Sequence, residues 1–324
     1  MRQQNGTFLS VRNLQVSFPT DYGAAHVVDS VTFDVAEGET LGIVGESGSG
    51  KSVTSLALLG LVPRPGSITA GEILFERRDV TKMLEGELRD MRGAKVAMVF
   101  QDPMTSLNPF LPVSVQISEV TRLHLGHTKV QAREHAIAML EAVGIPDARS
   151  RAEHYPHQFS GGMRQRVMIA MALACRPRLL IADEPTTALD VTIQAQILEL
   201  LRKAKDERQT AMILITHDLG VVAENADRVL VMYAGRIMEA ASAAELFRNP
   251  QNPYTRALLR CIPDPAHVDA PLYQIAGQPP DVSSLLPNQC PFVERCPESI
   301  DQCRREPPPY HSVGEDHWSL CWVR

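Results

Sequence analysis

The residues from Gly45 to Ser52 have the types and the spacing of a phosphate-binding loop. They match the pattern Gly-x4-Gly-Lys-Ser. Glycines let the backbone wrap closely around a polyphosphate, so that successive N–H groups point at it, while Lys51 adds positive charge and the Ser52 hydroxyl can bind Mg²⁺. We therefore predict a nucleotide site with contacts from Gly45, Glu46, Ser47, Gly48, Ser49, Gly50, Lys51, Ser52 and Val53.

Two carboxylates at the end of an apolar run complement this loop. Residues 179–182 are apolar, and Asp183 and Glu184 follow them directly. In this position one carboxylate can hold Mg²⁺, and its neighbour can act as general base for the water that attacks the γ-phosphate. We assign the first role to Asp183 and the second to Glu184.

Gln101 and His217 also follow apolar runs and are candidates for the same reaction. The neutral amide of Gln101 can bind Mg²⁺ and touch the attacking water, and the ring of His217 can contact the γ-phosphate and position that water. Either residue alone at a strand end would be unremarkable. Their assignment depends on the phosphate loop in the same chain.

A second anion-binding helix start is predicted at Ser160. Ser160 is a good N-cap for the helix that should begin with Gly161, Gly162 and Met163 and continue through an apolar run. Two such helix starts in one chain favour one nucleotide held between two copies. For the adenine base, we predict stacking on Tyr22, which precedes the loop, with Phe18 as the alternative.

Four of the six cysteines, Cys290, Cys296, Cys303 and Cys321, lie in the last 35 residues. In a reducing compartment such thiols bind metal more readily than they form disulfides. Four thiolates suit either Zn²⁺ or a [4Fe–4S] cluster, and the two-residue gaps of zinc knuckles are absent. We expect a metal site whose loss would disorder residues near 285–324 but leave nucleotide binding by Lys51 and Ser52 largely unchanged, because this tail lies outside every nucleotide motif.

The elements that must position these residues indicate an α/β fold. Short apolar runs at 40–44, 96–100, 179–183 and 211–216 predict buried parallel strands, and apolar helices follow Lys51 and Ser160. The alternation from Phe8 to Phe18 predicts an edge strand of an antiparallel region. Residues 102–175 should form an inserted helical subdomain. From residue 246 the chain becomes rich in proline, which predicts an irregular, cysteine-bearing extension.

Composition narrows the classes of partner. The net charge of −6 provides no basic face for nucleic acid. No apolar stretch approaches the roughly 20 residues needed to span a bilayer, and the first ten residues are too polar for a secretory signal. We therefore expect a cytosolic protein with no nucleic acid partner.

The order of these motifs resembles the ATP-binding subunits of ABC transporters. It comprises the phosphate loop, Gln101, Ser160-Gly161-Gly162, Asp183-Glu184, Asp190 and His217. The segments 101–109 and 249–255 are similar to the dipeptide, oligopeptide and nickel importers. Met163 departs from the broad family, which usually has Gln there. The resemblance implies a P-loop ABC-type ATPase core over residues 1–245 and a peptide-importer-type extension over 246–324.

The same resemblance implies a function, partners and a location. The chain would hydrolyse ATP with Mg²⁺ to power import of dipeptides or oligopeptides, working on the cytoplasmic face of the membrane with two permease subunits, a second, non-identical ABC ATPase and, indirectly, an extracytoplasmic solute-binding protein. Ser160, Gly161, Gly162 and Met163 would contact the partner subunit's ATP, and Asp190 would communicate across the dimer. The resemblance also favours a [4Fe–4S] cluster over zinc. There are two alternatives. The chain could power import of nickel or another small solute, or it could be a soluble ABC-type ATPase that acts on nucleic acid or ribosomes.

Overall fold

The computed structural model describes residues 7–21, 23–187, 189–207, 209–262, 273–281, 288–314 and 316–323. The chain divides into two compact units. The first unit comprises Met1–Ala36, Thr40–Thr81 and Thr216–Arg324, and the second comprises Glu37–Glu39 and Lys82–Ile215. This division differs from the predicted boundary at residues 245 and 246, because the C-terminal residues pack in the same unit as the phosphate loop.

The first unit contains an antiparallel sheet with strand order β2-β1-β4-β5. Its strands are β1 (Thr7–Thr20), β2 (Gly23–Ala36), β4 (Ser67–Phe75) and β5 (Arg78–Asp79). Strand β1 pairs with β2 on one side and β4 on the other, so the prediction of an edge strand from Phe8 to Phe18 is wrong. The pairing is explained by burial on the apolar face, where Val11 and Leu14 are fully buried.

A second sheet of this unit carries the phosphate loop. Its strands follow in the order β11-β12-β10-β9-β3, with bounds β3 (Thr40–Val44), β9 (Arg228–Tyr233), β10 (Arg236–Ser242), β11 (Tyr310–Gly314) and β12 (His317–Leu320). Strand β3 is parallel to β9 and wholly buried, which explains its continuous apolar sequence. The helices of this unit are α1 (Lys51–Leu58), α9 (Leu219–Asn225), α10 (Ala243–Arg248) and α11 (Pro253–Arg260).

The C-terminal extension is more regular than its composition predicts. Helix α11 is followed by short turns, a 3₁₀ helix (Asp301–Arg304) and the β11–β12 hairpin, whose second strand pairs with β10. Tyr254 and Phe292 are buried against Tyr233, with ring centroids 4.5 to 5.3 Å apart. The extension therefore shares an apolar core with the sheet, and the expectation that it lacks regular structure is wrong for these segments.

The second unit contains a parallel sheet in the order β8-β7-β6. Its strands are β6 (Val96–Val99), β7 (Leu179–Asp183) and β8 (Ala211–Ile215). Its helices are α2 (Glu85–Met91), α3 (Pro103–Ser106), α4 (Val113–Leu125), α5 (Lys129–Ala142), α6 (Ala148–Arg151), α7 (Gly161–Leu173) and α8 (Val191–Asp206). Helices α3 to α7 occupy the sequence between β6 and β7, the place of the predicted helical insertion.

Candidate nucleotide site

The backbone of the phosphate loop requires glycine at two places. Gly45 has φ = 154° and Gly50 has φ = 98°, values that residues with a side chain rarely adopt. A Cβ atom on Gly45 would lie 2.1 Å from the carbonyl oxygen of Met232, and one on Gly50 would lie 2.6 Å from that of Val27. The loop is therefore wedged between neighbouring backbone segments, and its shape depends on these two glycines.

Lys51 is the first residue of α1, and its side chain folds back along the loop. It is only 5% exposed. Its Nζ atom donates to the carbonyl oxygens of Gly45 (2.8 Å) and Glu46 (2.9 Å) and to Oγ of Ser49 (3.3 Å). These acceptors hold the ammonium group at the N-terminus of α1, where the helix dipole also favours anions. The next residue, Ser52, is exposed.

Glu46 is held by residues that sequence reasoning missed. Its carboxylate receives two hydrogen bonds from Arg295, and its backbone N–H donates to the hydroxyl of Tyr254 at 3.0 Å. The bond with Glu46 raises the pKa of the Arg295 guanidinium, and burial raises that of Tyr254. The only sequence signal for this contact is the match of segment 249–255 to one family branch, which does not reach Arg295.

The two carboxylates of the second unit lie at the end of β7 as predicted: Asp183 is its last residue and Glu184 follows it. Asp183 is buried at the end of the strand, whereas Glu184 has φ = 47°, a left-handed conformation that turns it out of the strand direction. Oε2 of Glu184 accepts hydrogen bonds from Nε2 of Gln101 (2.9 Å) and from Oγ1 of Thr187 (2.8 Å). The structure thus brings Gln101 and Glu184 together and adds Thr187, which lies only three residues after Glu184.

The helix start predicted at Ser160 is confirmed. Ser160 is the N-cap of α7, and its Oγ accepts from the N–H of Met163 at 3.4 Å. A Cβ on Gly162 would lie 2.8 Å from a methyl group of Ile193, so α7 and α8 approach closely there. Asp190 is the N-cap of α8 and accepts from the N–H of Ile193 at 2.9 Å.

The structure gives less information on the remaining residues that were predicted to contact the nucleotide. His217 is exposed two residues after β8. Tyr22 lies outside the described residues. Phe18, the alternative for adenine stacking, turns its ring towards Gly66: a Cβ there would lie 2.5 Å from the ring.

The four C-terminal cysteines line one small cavity together with apolar residues that include Met238, Phe292 and Leu320. Burial raises the pKa of Cys290 to about 12, and it also raises the pKa of Cys296. Backbone groups of Phe292 and Glu298 hydrogen-bond these two sulfurs, and the N–H of Val323 bonds the sulfur of Cys321 at 3.4 Å. Hydrogen bonds from backbone N–H groups to sulfur stabilise thiolates that bind a metal and tune its properties.

The four cysteines do not form a recognisable site for one metal ion. Within the described part of the chain, no three His, Cys, Asp or Glu side chains are close enough together to hold one metal ion. A tetrahedral zinc site, with Zn–S bonds of about 2.3 Å, would need sulfurs about 3.8 Å apart. The cysteines therefore surround a cavity without forming a compact site for a single ion.

None of the helices in the described ranges has both the length and the apolar character needed to cross a bilayer.

Family profiles match two parts of the chain. The ABC transporter profile matches residues 28–187, and the profile of the oligopeptide/dipeptide transporter C-terminal region matches residues 238–303. The second match covers α11 and the segment with Cys290, Cys296 and Cys303.

Curated relatives are similar over almost the whole chain. The dipeptide transport ATP-binding protein DppD of Bacillus subtilis is 50% identical over 98% of this chain and 94% of its own length. The oligopeptide transport ATP-binding protein OppD of Salmonella typhimurium is 52% identical over 94% of this chain and 91% of its own length. The dipeptide transport ATP-binding protein DppD of Escherichia coli is 50% identical over 97% of this chain and 95% of its own length.

Solved structures give the same fold. A dimeric post-hydrolysis structure of the ATP-binding cassette MJ0796 with ADP and Pi matches with a TM-score of 0.66 and 28% identity, covering 72% of this chain and 98% of that one. The cbiO1 protein of Clostridium perfringens, part of the ABC transporter complex cbiONQ, matches with a TM-score of 0.63 and 27% identity, covering 76% of this chain and 92% of that one.

Proposed function

We propose, from the premise that this chain belongs to the ATP-binding subunits of ABC transporters, that it hydrolyses ATP to power import of dipeptides or oligopeptides. The premise rests on the relatives that are about half identical over nearly the full length. The observation that carries the activity is the phosphate loop, in which the buried Lys51 ammonium lies at the start of α1 between the loop's own carbonyl groups. Peptide as the solute is taken from the names of the relatives.

Each residue of the site is proposed to have its own task. The loop residues Gly45 to Val53 surround the phosphates with N–H groups, and Lys51 neutralises part of their charge. Glu184, oriented by Gln101 and Thr187, takes a proton from the attacking water. His217 contacts the γ-phosphate, and Tyr22 stacks on adenine.

Magnesium fits the oxygen ligands that this chain offers. The Ser52 hydroxyl, the Gln101 amide oxygen and the Asp183 carboxylate are hard donors of the kind that Mg²⁺ prefers. When bound, the ion neutralises charge on the phosphate oxygens. Because Nε2 of Gln101 donates to Glu184, its Oε1 is the atom assigned to the ion.

Two ATPase chains are proposed to form the working unit. Ser160, Gly161, Gly162 and Met163 would contact ATP bound by the partner, since the capped start of α7 is a second anion-seeking helix terminus. Asp190, at the start of α8, would couple the two sites. The similar cassette MJ0796 is dimeric with ADP and Pi. We propose that the second chain is a related, non-identical ATPase; a preparation that is strictly monomeric yet hydrolyses ATP at full rate would contradict the dimer.

The proposed setting is the cytoplasmic face of the membrane. There the chain would bind two permease subunits that receive the solute from an extracytoplasmic binding protein. Residues 1–245 are proposed as the nucleotide-binding domain, with a helical subdomain at about 102–175, and residues 246–324 as the peptide-importer-type extension. The net charge of −6 disfavours a nucleic acid partner, because binding nucleic acid needs a basic surface.

A [4Fe–4S] cluster is proposed for Cys290, Cys296, Cys303 and Cys321, with zinc as the alternative. Support comes from the shared cavity and from backbone N–H groups directed at the sulfurs. A cluster takes its cysteines at separate corners, which suits sulfurs that surround a cavity better than a single ion does. Bound there, it would cross-link the extension.

Transport by the assembled complex tests the function. Proteoliposomes that contain this chain, its partner ATPase and permeases, and the binding protein should take up a labelled dipeptide only with MgATP inside. The same vesicles with Glu184→Gln should take up almost none. Uptake of Ni²⁺ in place of peptides would establish the nickel alternative. ATP hydrolysis stimulated by RNA or ribosomes, with no binding to the permeases, would establish the soluble class.

A further inference from the structure

The C-terminal extension holds the phosphate loop through Arg295. Its Nη1 donates to Oε2 of Glu46 at 2.6 Å, and its Nη2 donates to Oε1 at 2.9 Å. Two parallel bonds are the strongest geometry between a guanidinium and a carboxylate. The side chain of Arg295 is 5% exposed and that of Glu46 is 24% exposed, so water and salt screen this pair little.

Arg295 is itself fixed by other contacts. Its Nε donates to the carbonyl of Ala276 at 2.9 Å, and Nη1 also donates to the hydroxyl of Tyr233 at 3.2 Å. The guanidinium carbon lies 5.7 Å from the ring centroid of Tyr233 and 6.0 Å from that of Phe292. These contacts allow the guanidinium a single orientation, and it therefore determines where the Glu46 carboxylate lies.

Glu46 connects Arg295 to the reactive part of the loop. Its carbonyl oxygen accepts from Nζ of Lys51 at 2.9 Å, while its N–H donates to Tyr254. The Glu46 carboxylate belongs to a residue of the phosphate loop, so its negative charge would oppose a triphosphate bound there if it were not neutralised. Arg295 neutralises that carboxylate and holds it in place.

We propose that Arg295 is a positioning residue for nucleotide binding, through which the C-terminal extension sets the affinity of the phosphate loop for ATP. This inference rests on the proposed ATPase function. Arg295 would act on the nucleotide through Glu46, and it directly precedes Cys296. The affinity for ATP therefore depends on the order of the cysteine-bearing segment.

The test compares MgATP affinity and steady-state hydrolysis in the full-length protein. Arg295→Gln should weaken MgATP binding about tenfold or more, because it leaves the Glu46 charge unpaired within the phosphate loop. KM should rise by a similar factor with a smaller change in kcat, since Glu184 is untouched. The double variant Glu46→Gln/Arg295→Gln should recover most of the affinity, because the unpaired charge is removed.

Arg304→Gln is the matched control. Arg304 pairs with Glu294 in the same segment, but these side chains are 54% and 67% exposed, so the variant should bind MgATP like wild type. Wild-type affinity in Arg295→Gln would overturn the proposal. So would a double variant as weak as the single one, since Arg295 would then only support folding.

The test also decides when the Arg295→Gln variant fails to fold and when the wild-type protein fails to bind MgATP. If Arg295→Gln does not fold, Arg295→Lys replaces it and should weaken binding about threefold, because an ammonium cannot make the paired bonds; unchanged affinity would overturn the inference. If wild-type protein binds no MgATP, the proposed function and this inference both fail. Normal wild-type binding with an unaffected Arg295 variant removes the inference alone.

Discussion

The amide of Gln101 donates a hydrogen bond of 2.9 Å to the carboxylate of Glu184, so two residues assigned to the γ-phosphate reaction are in direct contact. The hydroxyl of Thr187 donates to the same oxygen at 2.8 Å. Two hydrogen bonds to one oxygen fix the orientation of the carboxylate, and both depend on that oxygen as their acceptor. The left-handed backbone of Glu184 adds to this constraint. The carboxylate proposed as general base is thus held by residues of its own unit of the fold.

Glu184→Gln should separate binding from hydrolysis. Glutamine keeps the size of the side chain but cannot accept a proton from water, so turnover should fall by about 10²–10⁴ while MgATP still binds. The measurements are phosphate release and nucleotide binding on the same preparation. Glu153→Gln is the control, because this exposed carboxylate pairs with Arg133 on the helical insertion. Equal turnover in Glu184→Gln and wild type would remove Glu184 from the mechanism.

Lys51→Ala should act on binding. The substitution removes the charge assigned to the phosphates and also three hydrogen bonds that brace the loop. We expect MgATP affinity to fall by about tenfold or more, and isothermal titration measures it. Lys129→Ala, at an exposed position in the first turn of α5, should bind like wild type. Retention of wild-type affinity in Lys51→Ala would contradict the assignment of this loop.

Removal of the proposed cysteine ligands should affect colour and nucleotide binding together. Protein purified without oxygen should be brown and should bleach on reduction. Cys→Ser at any of the four C-terminal positions should abolish the colour, whereas Cys175→Ser and Cys261→Ser should keep it. Because Arg295 precedes Cys296, the colourless variants should also bind MgATP more weakly. The sequence alone leads to the opposite expectation, that loss of the cluster leaves nucleotide binding largely unchanged.

Metal analysis decides between the alternatives for this site. One zinc and no iron per chain in an anaerobic sample would replace the cluster by zinc but retain the four-cysteine site. A sample with neither metal would remove the site.

Asn252→Ala should destabilise the extension. Asn252 is 1% exposed; it caps α11 by accepting from the N–H of Tyr254, and it donates to the carbonyls of Met238 and Leu320. Loss of the cap and of two buried donors should lower the free energy of unfolding by about 2–4 kcal/mol. Urea denaturation measures this change. Asn249→Ala, at an exposed position, should change it by less than about 1 kcal/mol; equal effects of both variants would contradict the role of Asn252.

The sequence by itself determined the features that depend on consecutive residues. The phosphate loop works through the backbone of a few neighbouring glycines, and the cap at Ser160 serves an N–H three residues later, so each was predicted from its local pattern. Buried parallel strands are continuous apolar runs for the same local reason, as β7 and β8 show.

Only the tertiary structure decided which distant segments meet. Arg295 and Glu46 are 249 positions apart, and nothing in the sequence near either residue marks the other. The central position of β1 and the pairing of β12 with β10 were likewise visible only in the structure. Burial and backbone hydrogen bonding across the fold select the partners of a strand, and alternation within one strand does not identify its neighbours. The contact between the C-terminal extension and the phosphate loop therefore had to be read from the folded chain.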